Sequence, residues 1–318
     1  MGQLRNGTWK TENLISTDEG GGFQRKESSW RDWITADGSS GYKAESGRYH
    51  LYVAYACPWA HRTLIFRALK GLAEHISVDV VHPFMGENGW HFGTDFDGAT
   101  GDSLFGSEFL HQIYTRSDSD ATTRVTVPIL WDKETGRIVS NSDDDLMRIL
   151  NSEFDAFTDS KLNLVPEDKL SEIDALNDWI YDRVNDGVYK AGFASSQSAY
   201  ESALNPLFGA LDELDQRLEQ TRYLFGDQPL ETDWRLFVTL VRFDAAYVGH
   251  FKCNLRRIAD YPNLGSYLKD LYQIPGIAET VNFDHIKRHY YETHHEINPT
   301  GIVPVGPVLD LESPHGRG

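Results

Sequence analysis

Cys57 stands at the head of the run Cys57-Pro58-Trp59-Ala60. The stretch before it is rich in aromatic and β-favouring residues, and the stretch after it carries Ala60, Leu64, Ala68 and Leu72 at helical spacing. That places the thiol where a strand hands over to a helix. Pro58 suits the first helical turn, where its missing N–H has no partner to lose. A cysteine at that point faces the free first-turn N–H groups and the positive end of the helix dipole, which favour the thiolate and make it a nucleophile. The second cysteine of a Cys-x-x-Cys pair is absent. Redox chemistry at Cys57 therefore has to pass through a mixed disulfide with an external thiol. Position alone equally suits a small buried cysteine ahead of a helix. Val127-Pro128, at the start of a later strand, favours the first reading, since a proline entering a strand otherwise needs an edge or a bulge.

The elements that must carry these residues read as follows. A strand is expected over 48–55, a helix over 57–72 and a second strand over 76–83, stopped by Pro83. Residues 84–123 are rich in Gly, Asp and Ser, and read as a long irregular insertion. Strands follow at 124–132 and 137–141, joined by a turn through Thr135-Gly136, and then a helix from Asp143 to Leu150 with three aspartates at its start. This α/β order is that of a thioredoxin-like domain, expected over 46–160. From Leu170 the strands stop. Residues 173–184, 205–218, 233–248 and 263–274 are amphipathic, and an all-helical domain is expected over 161–292. Residues 1–45 read as an extended arm pinned by Trp9, Trp30 and Trp33, and 293–318 as a Pro- and Gly-rich tail.

Composition narrows the function classes. The chain has 318 residues and a formal net charge of −18, with 48 acidic against 30 basic residues. Such a balance disfavours phosphate-rich partners, so neither nucleic acid nor an anionic membrane is expected. No apolar run reaches the ~20 residues of a membrane span, and no secretory signal opens the chain, so a cytoplasmic protein is expected. Asp outnumbers Glu 29 to 19 and Arg outnumbers Lys 19 to 11. A salt-adapted protein and an ordinary acidic cytosolic one both fit that pattern. Cys57 and Cys253 suggest neither a disulfide framework nor a zinc site, and no metal is expected.

The runs YACPWAHR, NGW, RVTVP, VYKAGFA, RFDAAYVGHFKCN and IKRHYY, in this order over residues 5 to 308, resemble the glutathionyl-hydroquinone reductases, the Xi class of glutathione transferases. The resemblance implies a thioredoxin-like domain followed by a helical glutathione-transferase domain, usually as a homodimer. It implies that Cys57 attacks the sulfur of a glutathionyl-hydroquinone, frees the hydroquinone and is regenerated by a second thiol, either glutathione or a relative such as γ-glutamylcysteine. Trp90, Arg124 and Val127 match thiol-binding positions, and Tyr189 and Tyr290 match the hydroquinone-site tyrosines. Tyr247 and Tyr291 are weaker candidates. His289, His294 and His295 read as scaffold, and Cys253 as a buried apolar residue.

The chain departs from the family twice. Where the family has Asn-Glu-Ser, this chain reads Asn141-Ser142-Asp143. Ser142 and Asp143 thus fall at positions that hold the γ-glutamyl end of the thiol, with the acidic residue displaced by one. The swap could preserve the contact, weaken it or mark a different thiol. The second departure is Leu230 in place of a threonine cap, for which Thr232 or Asp233 is expected to substitute. Competing readings are an Omega-like thiol-transferase or dehydroascorbate reductase, and a non-catalytic binder of aromatic compounds.

Overall fold

The computed structural model describes residues 2–12, 15–24 and 28–317. These fall into two compact units. The first lies within 1–14, 26–162 and 280–289, the second within 15–25, 163–279 and 290–318.

In the first unit a four-stranded sheet is built from β5 (Tyr49–Val53), β6 (Ser77–Val80), β8 (Ile129–Asp132) and β9 (Arg137–Ser140), in the order β6-β5-β8-β9. β5 and β6 are parallel, as their joining helix α1 (Pro58–Leu69) requires, and the other pairs are antiparallel. Every residue of β5 and β8 is buried, the polar His50 and Asp132 included, so both faces of these strands are covered. α1 packs beside α3 (Asp143–Ser152).

Three expectations change here. The single strand expected over 124–132 is two. β7 (Thr123–Arg124) pairs with β1 (Gly2–Arg5), and the chain then passes Val127-Pro128 before joining the main sheet at Ile129. Pro128 has no N–H to give a ladder, which separates the two pairings. The Val127-Pro128 bond is cis.

The insertion is not irregular throughout. It contains α2 (His111–Ser117), and two carboxylates fasten it to the sheet. Asp79 of β6 accepts from the Ser103 amide at 2.6 Å and hydroxyl at 2.8 Å. Asp102 accepts from the amides of Leu104, Phe105 and Ser107 and from the Tyr52 hydroxyl.

The arm is not extended throughout either. β1 and β2 (Thr8–Thr11) form a hairpin turned by Asn6-Gly7, both at positive φ (47° and 68°), the geometry for which Asn-Gly is preferred. Farther on, Trp30 packs edge-on to Tyr114 at 5.1 Å, and its amide bonds the Asn141 side chain.

Among the described residues the second unit is mainly helical, with the short pair β3 (Ser16–Thr17) and β4 (Phe23–Gln24) and an irregular tail after Thr293. Its helices are α4 (Leu170–Ile180), α5 (Gly187–Gly192), α6 (Gln197–Gln220), α7 (Glu231–Arg242) and α8 (Pro262–Tyr272), joined by the end of α9 (Phe283–Thr293). α7 is buried on all sides, as befits a central helix. α6 starts well before the predicted 205, since Ser196 caps it by accepting from the Ala199 amide and Pro206 is accommodated in its interior. At α7 the cap is Asp233. Its carboxylate accepts from the N–H of Leu230 at 2.8 Å, and also from Leu224 N–H and the Tyr267 hydroxyl. Two π-helical turns, Tyr181–Asn185 and Phe243–Tyr247, interrupt the α-helical register.

Candidate active site

Cys57 is the N-cap residue of α1, with extended backbone (φ −78°, ψ 120°) and Pro58 at the first helical position. The turn is closed by Cys57 N–H to Ala54 O at 3.0 Å and by His61 N–H to Cys57 O at 3.0 Å. The side chain is partly exposed, and its thiol donates to the Val127 carbonyl at 3.6 Å. Val127 is thus beside the cysteine through its backbone. Once the proton leaves, that carbonyl is a poor neighbour for the anion, and the N–H groups of the first turn become the counterpart.

Asp143 opens α3, and its carboxylate accepts from the Arg62 guanidinium at 2.7 Å. Arg62 is fully buried, lies 4.6 Å over the Trp59 ring and reaches Asp144 at 3.4 Å. A buried guanidinium needs a carboxylate partner, and Asp143 supplies it. The negative charge at 143 is therefore offset on the spot. Asp145 is held in turn by Arg31 in a bidentate pair, both bonds 2.7 Å. Ser142 is the N-cap residue of α3, accepting from the Asp145 amide at 3.4 Å. Arg62 escaped the sequence reading because position 62 lies off the stripe of Ala60, Leu64, Ala68 and Leu72, and its burial left no signal in that pattern.

Trp90 is buried and stacks on His289 (4.6 Å, 21°), whose ring bonds the Pro83 carbonyl at 3.0 Å. Arg124 sits in β7 opposite Gln3.

In the second unit Tyr189 (α5) and Tyr290 (α9) come together with their hydroxyls 2.5 Å apart. Tyr247 joins them, its hydroxyl 3.0 Å from that of Tyr290. Phe193, Phe251, His250 and His294 surround the three rings. Burial pushes the Tyr247 and Tyr290 phenols well above their ordinary range, so both stay protonated and able to donate. Tyr247 ends the second π-helical turn, a feature common at functional sites. Tyr291 is not part of the group, and its ring packs on His250 instead. Cys253 is fully buried, and burial raises its thiol far above the usual value. Among the described residues no group of three or more His, Cys, Asp or Glu is arranged to hold a metal ion, and no helix is long and apolar enough to cross a membrane.

Residues 56–152 match the model of the glutathione S-transferase N-terminal domain, and residues 197–270 that of the C-terminal domain. The whole chain is 54% identical to the glutathionyl-hydroquinone reductase YqjG of Escherichia coli, over 98% of that protein. This chain belongs to the glutathionyl-hydroquinone reductases, the Xi-class glutathione transferases. It is also 50% identical to the glutathionyl-hydroquinone reductase PcpF of Sphingobium chlorophenolicum, with 98% of each chain covered. Among solved structures it superposes on glutathione-bound YqjG with a TM-score of 0.93 over 99% of both chains, at 52% identity. The Xi-class transferase of Natrialba magadii gives 0.94 at 47% identity, covering 100% of this chain and 96% of that one. The family's fold is the one expected, a thioredoxin-like domain followed by a helical one.

Proposed function

We propose that this chain reduces glutathionyl-hydroquinones to hydroquinones through a Cys57 mixed disulfide. The Cys57 thiolate attacks the thioether sulfur of the conjugate and an S–S bond forms. The carbon–sulfur bond breaks, its electron pair goes to the ring carbon, and that carbon takes up a proton. A second glutathione thiolate then attacks the mixed disulfide, returning Cys57 as the thiolate and leaving as oxidised glutathione. Trp90, Arg124, the Val127 backbone, Ser142 and Asp143 hold the thiol. Arg124 suits its carboxylates, and the Arg62-anchored Asp143 suits its ammonium group. Tyr189 and Tyr290 donate to the quinol oxygens and steady the ring as charge enters it.

The observation that carries this reading over simple thiol transfer is the buried pair of phenols, 101 residues apart in sequence and 2.5 Å apart in space. The test is turnover of a model glutathionyl-hydroquinone by Cys57→Ala and by Tyr189→Phe. Cys57→Ala should be inactive and should form no glutathione adduct on intact mass. Tyr189→Phe should lose deglutathionylation by ~10²-fold while keeping thiol exchange on a simple disulfide. Full turnover by Cys57→Ala sinks the mechanism, and unaltered turnover by Tyr189→Phe leaves the thiol-transferase reading standing.

A further inference from the structure

The N-terminal hairpin contacts the segments that carry two of the thiol-site residues, Trp90 and Arg124. On one edge β1 pairs with β7, Gln3 opposite Arg124 and Leu4 opposite Thr123. The turn adds Asn6 N–H to Thr122 Oγ1 at 2.8 Å and Gly7 N–H to Ala121 O at 3.0 Å.

On the other edge Trp9 reaches the turn that precedes Trp90. Its indole N–H donates to the Glu87 carbonyl at 3.0 Å. Its ring covers Gly89, where a β-carbon would lie 2.8 Å from Trp9 Cη2, and Gly89 is at φ +77°. No residue but glycine fits under the indole there without strain. The same ring stacks on His111 (4.8 Å, 20°), the first residue of α2. The neighbouring Leu110 amide donates to the Trp90 carbonyl at 2.9 Å. Trp9 therefore bridges the two segments that fix the Trp90 backbone, the 86–89 turn before it and the start of α2 bonded to it.

We propose that Trp9 is a positioning residue for the thiol site, holding Trp90 in place through the 86–89 turn and α2, with the hairpin as the brace that carries it. The inference rests on the reading of Trp90 as a thiol-binding residue. Trp9 acts on the affinity for the thiol and leaves the chemical step at Cys57 alone.

The experiment is a calorimetric titration of glutathione into the full chain and its Trp9→Ala, Trp9→Phe, Trp90→Ala and Trp9→Ala/Trp90→Ala variants, with steady-state kinetics and a melting curve on each. Trp9→Ala should weaken glutathione binding by about tenfold, in line with the sensitivity of such sites to small misplacements, and raise KM for the thiol while kcat changes less than twofold. Trp9→Phe keeps the stack on His111 but not the N–H donor, and should recover part of the loss. In the Trp90→Ala background the Trp9 substitution should have no further effect on affinity. A folded Trp9→Ala that binds glutathione as the wild type does, while Trp90→Ala does not, overturns the positioning role alone. Wild-type binding by Trp90→Ala removes the thiol-site reading and this inference with it. Equal, additive losses from Trp9→Ala in both backgrounds overturn the route through Trp90. If Trp9→Ala does not fold, Trp9→Phe with His111→Ala carries the same comparison.

Discussion

The exchange of Asp143 for the family's serine is expected to destabilise this particular chain. The Arg62 side chain is 1% exposed and its nearest carboxylate, Asp143, is 18% exposed. Removing one partner of a buried ion pair costs about 3–5 kcal/mol, because the other charge stays buried. Here the loss is smaller. Asp144 still faces the guanidinium at 3.4 Å, but it is half exposed, and such a partner is worth less than ~1 kcal/mol. The Trp59 ring also remains, adding ~1 kcal/mol. The serine further gives up a first-turn anion, worth ~0.3–1 kcal/mol. The balance for Asp143→Ser is a loss of about 2–3 kcal/mol, read as a fall in the urea midpoint and a drop of roughly 3–5 °C in melting temperature for a chain of 318 residues. A double-mutant cycle with Arg62→Met isolates the pair, and the two losses should be strongly non-additive. An Asp143→Ser variant within ~0.5 kcal/mol of the wild type, or additive losses in the cycle, would refute the claim that Arg62 depends on Asp143.

Three further outcomes are expected. Tyr247→Phe removes one hydroxyl from the tyrosine group while keeping its ring stacked on Phe251, so kcat on a glutathionyl-hydroquinone should fall more than KM for glutathione, measured by steady-state kinetics. Burial pushes the Asp233 carboxyl up to about 6 despite three donated hydrogen bonds. The folded state then binds more protons than the unfolded state between pH 4 and 6, so this group's contribution falls as pH rises through that window. Denaturant curves should show the wild type's margin over Asp233→Asn shrinking from pH 4 to pH 7. Finally, if the −18 charge is a salt adaptation, the melting temperature rises with KCl toward molar concentrations, and a flat curve rejects that origin.

Much of the site could be read from local sequence rules. Cys57 at the junction of β5 and α1, and Pro128 at the entry to β8, follow from strand and helix signals within a dozen residues. What stayed hidden depends on partners distant in sequence. The arginine that neutralises Asp143 lies 81 positions away, and Tyr247, readable only as a weaker candidate, lies 43 from the Tyr290 that it bonds. The insertion read as irregular because its order comes from Asp79 and Asp102, whose bonds leave no periodic trace. The hairpin did carry a signal, Asn6-Gly7 between short β-compatible segments, but polar composition concealed it.

That turn also sets how the molecule ages. Asn-Gly is the dipeptide most prone to deamidation, because the following amide nitrogen can close on the asparagine side chain when no β-carbon shields it. In the folded chain the Gly7 N–H is committed to Ala121 O, and Asn6 Oδ1 accepts from the Thr122 hydroxyl. Docking of the hairpin on β7 therefore restrains both reacting groups, and peeling it away releases them. Reclosing is far faster than deamidation, so isoaspartate at position 6 should accumulate in proportion to the fraction of time this edge is open, making the turn a slow record of the enzyme's local unfolding.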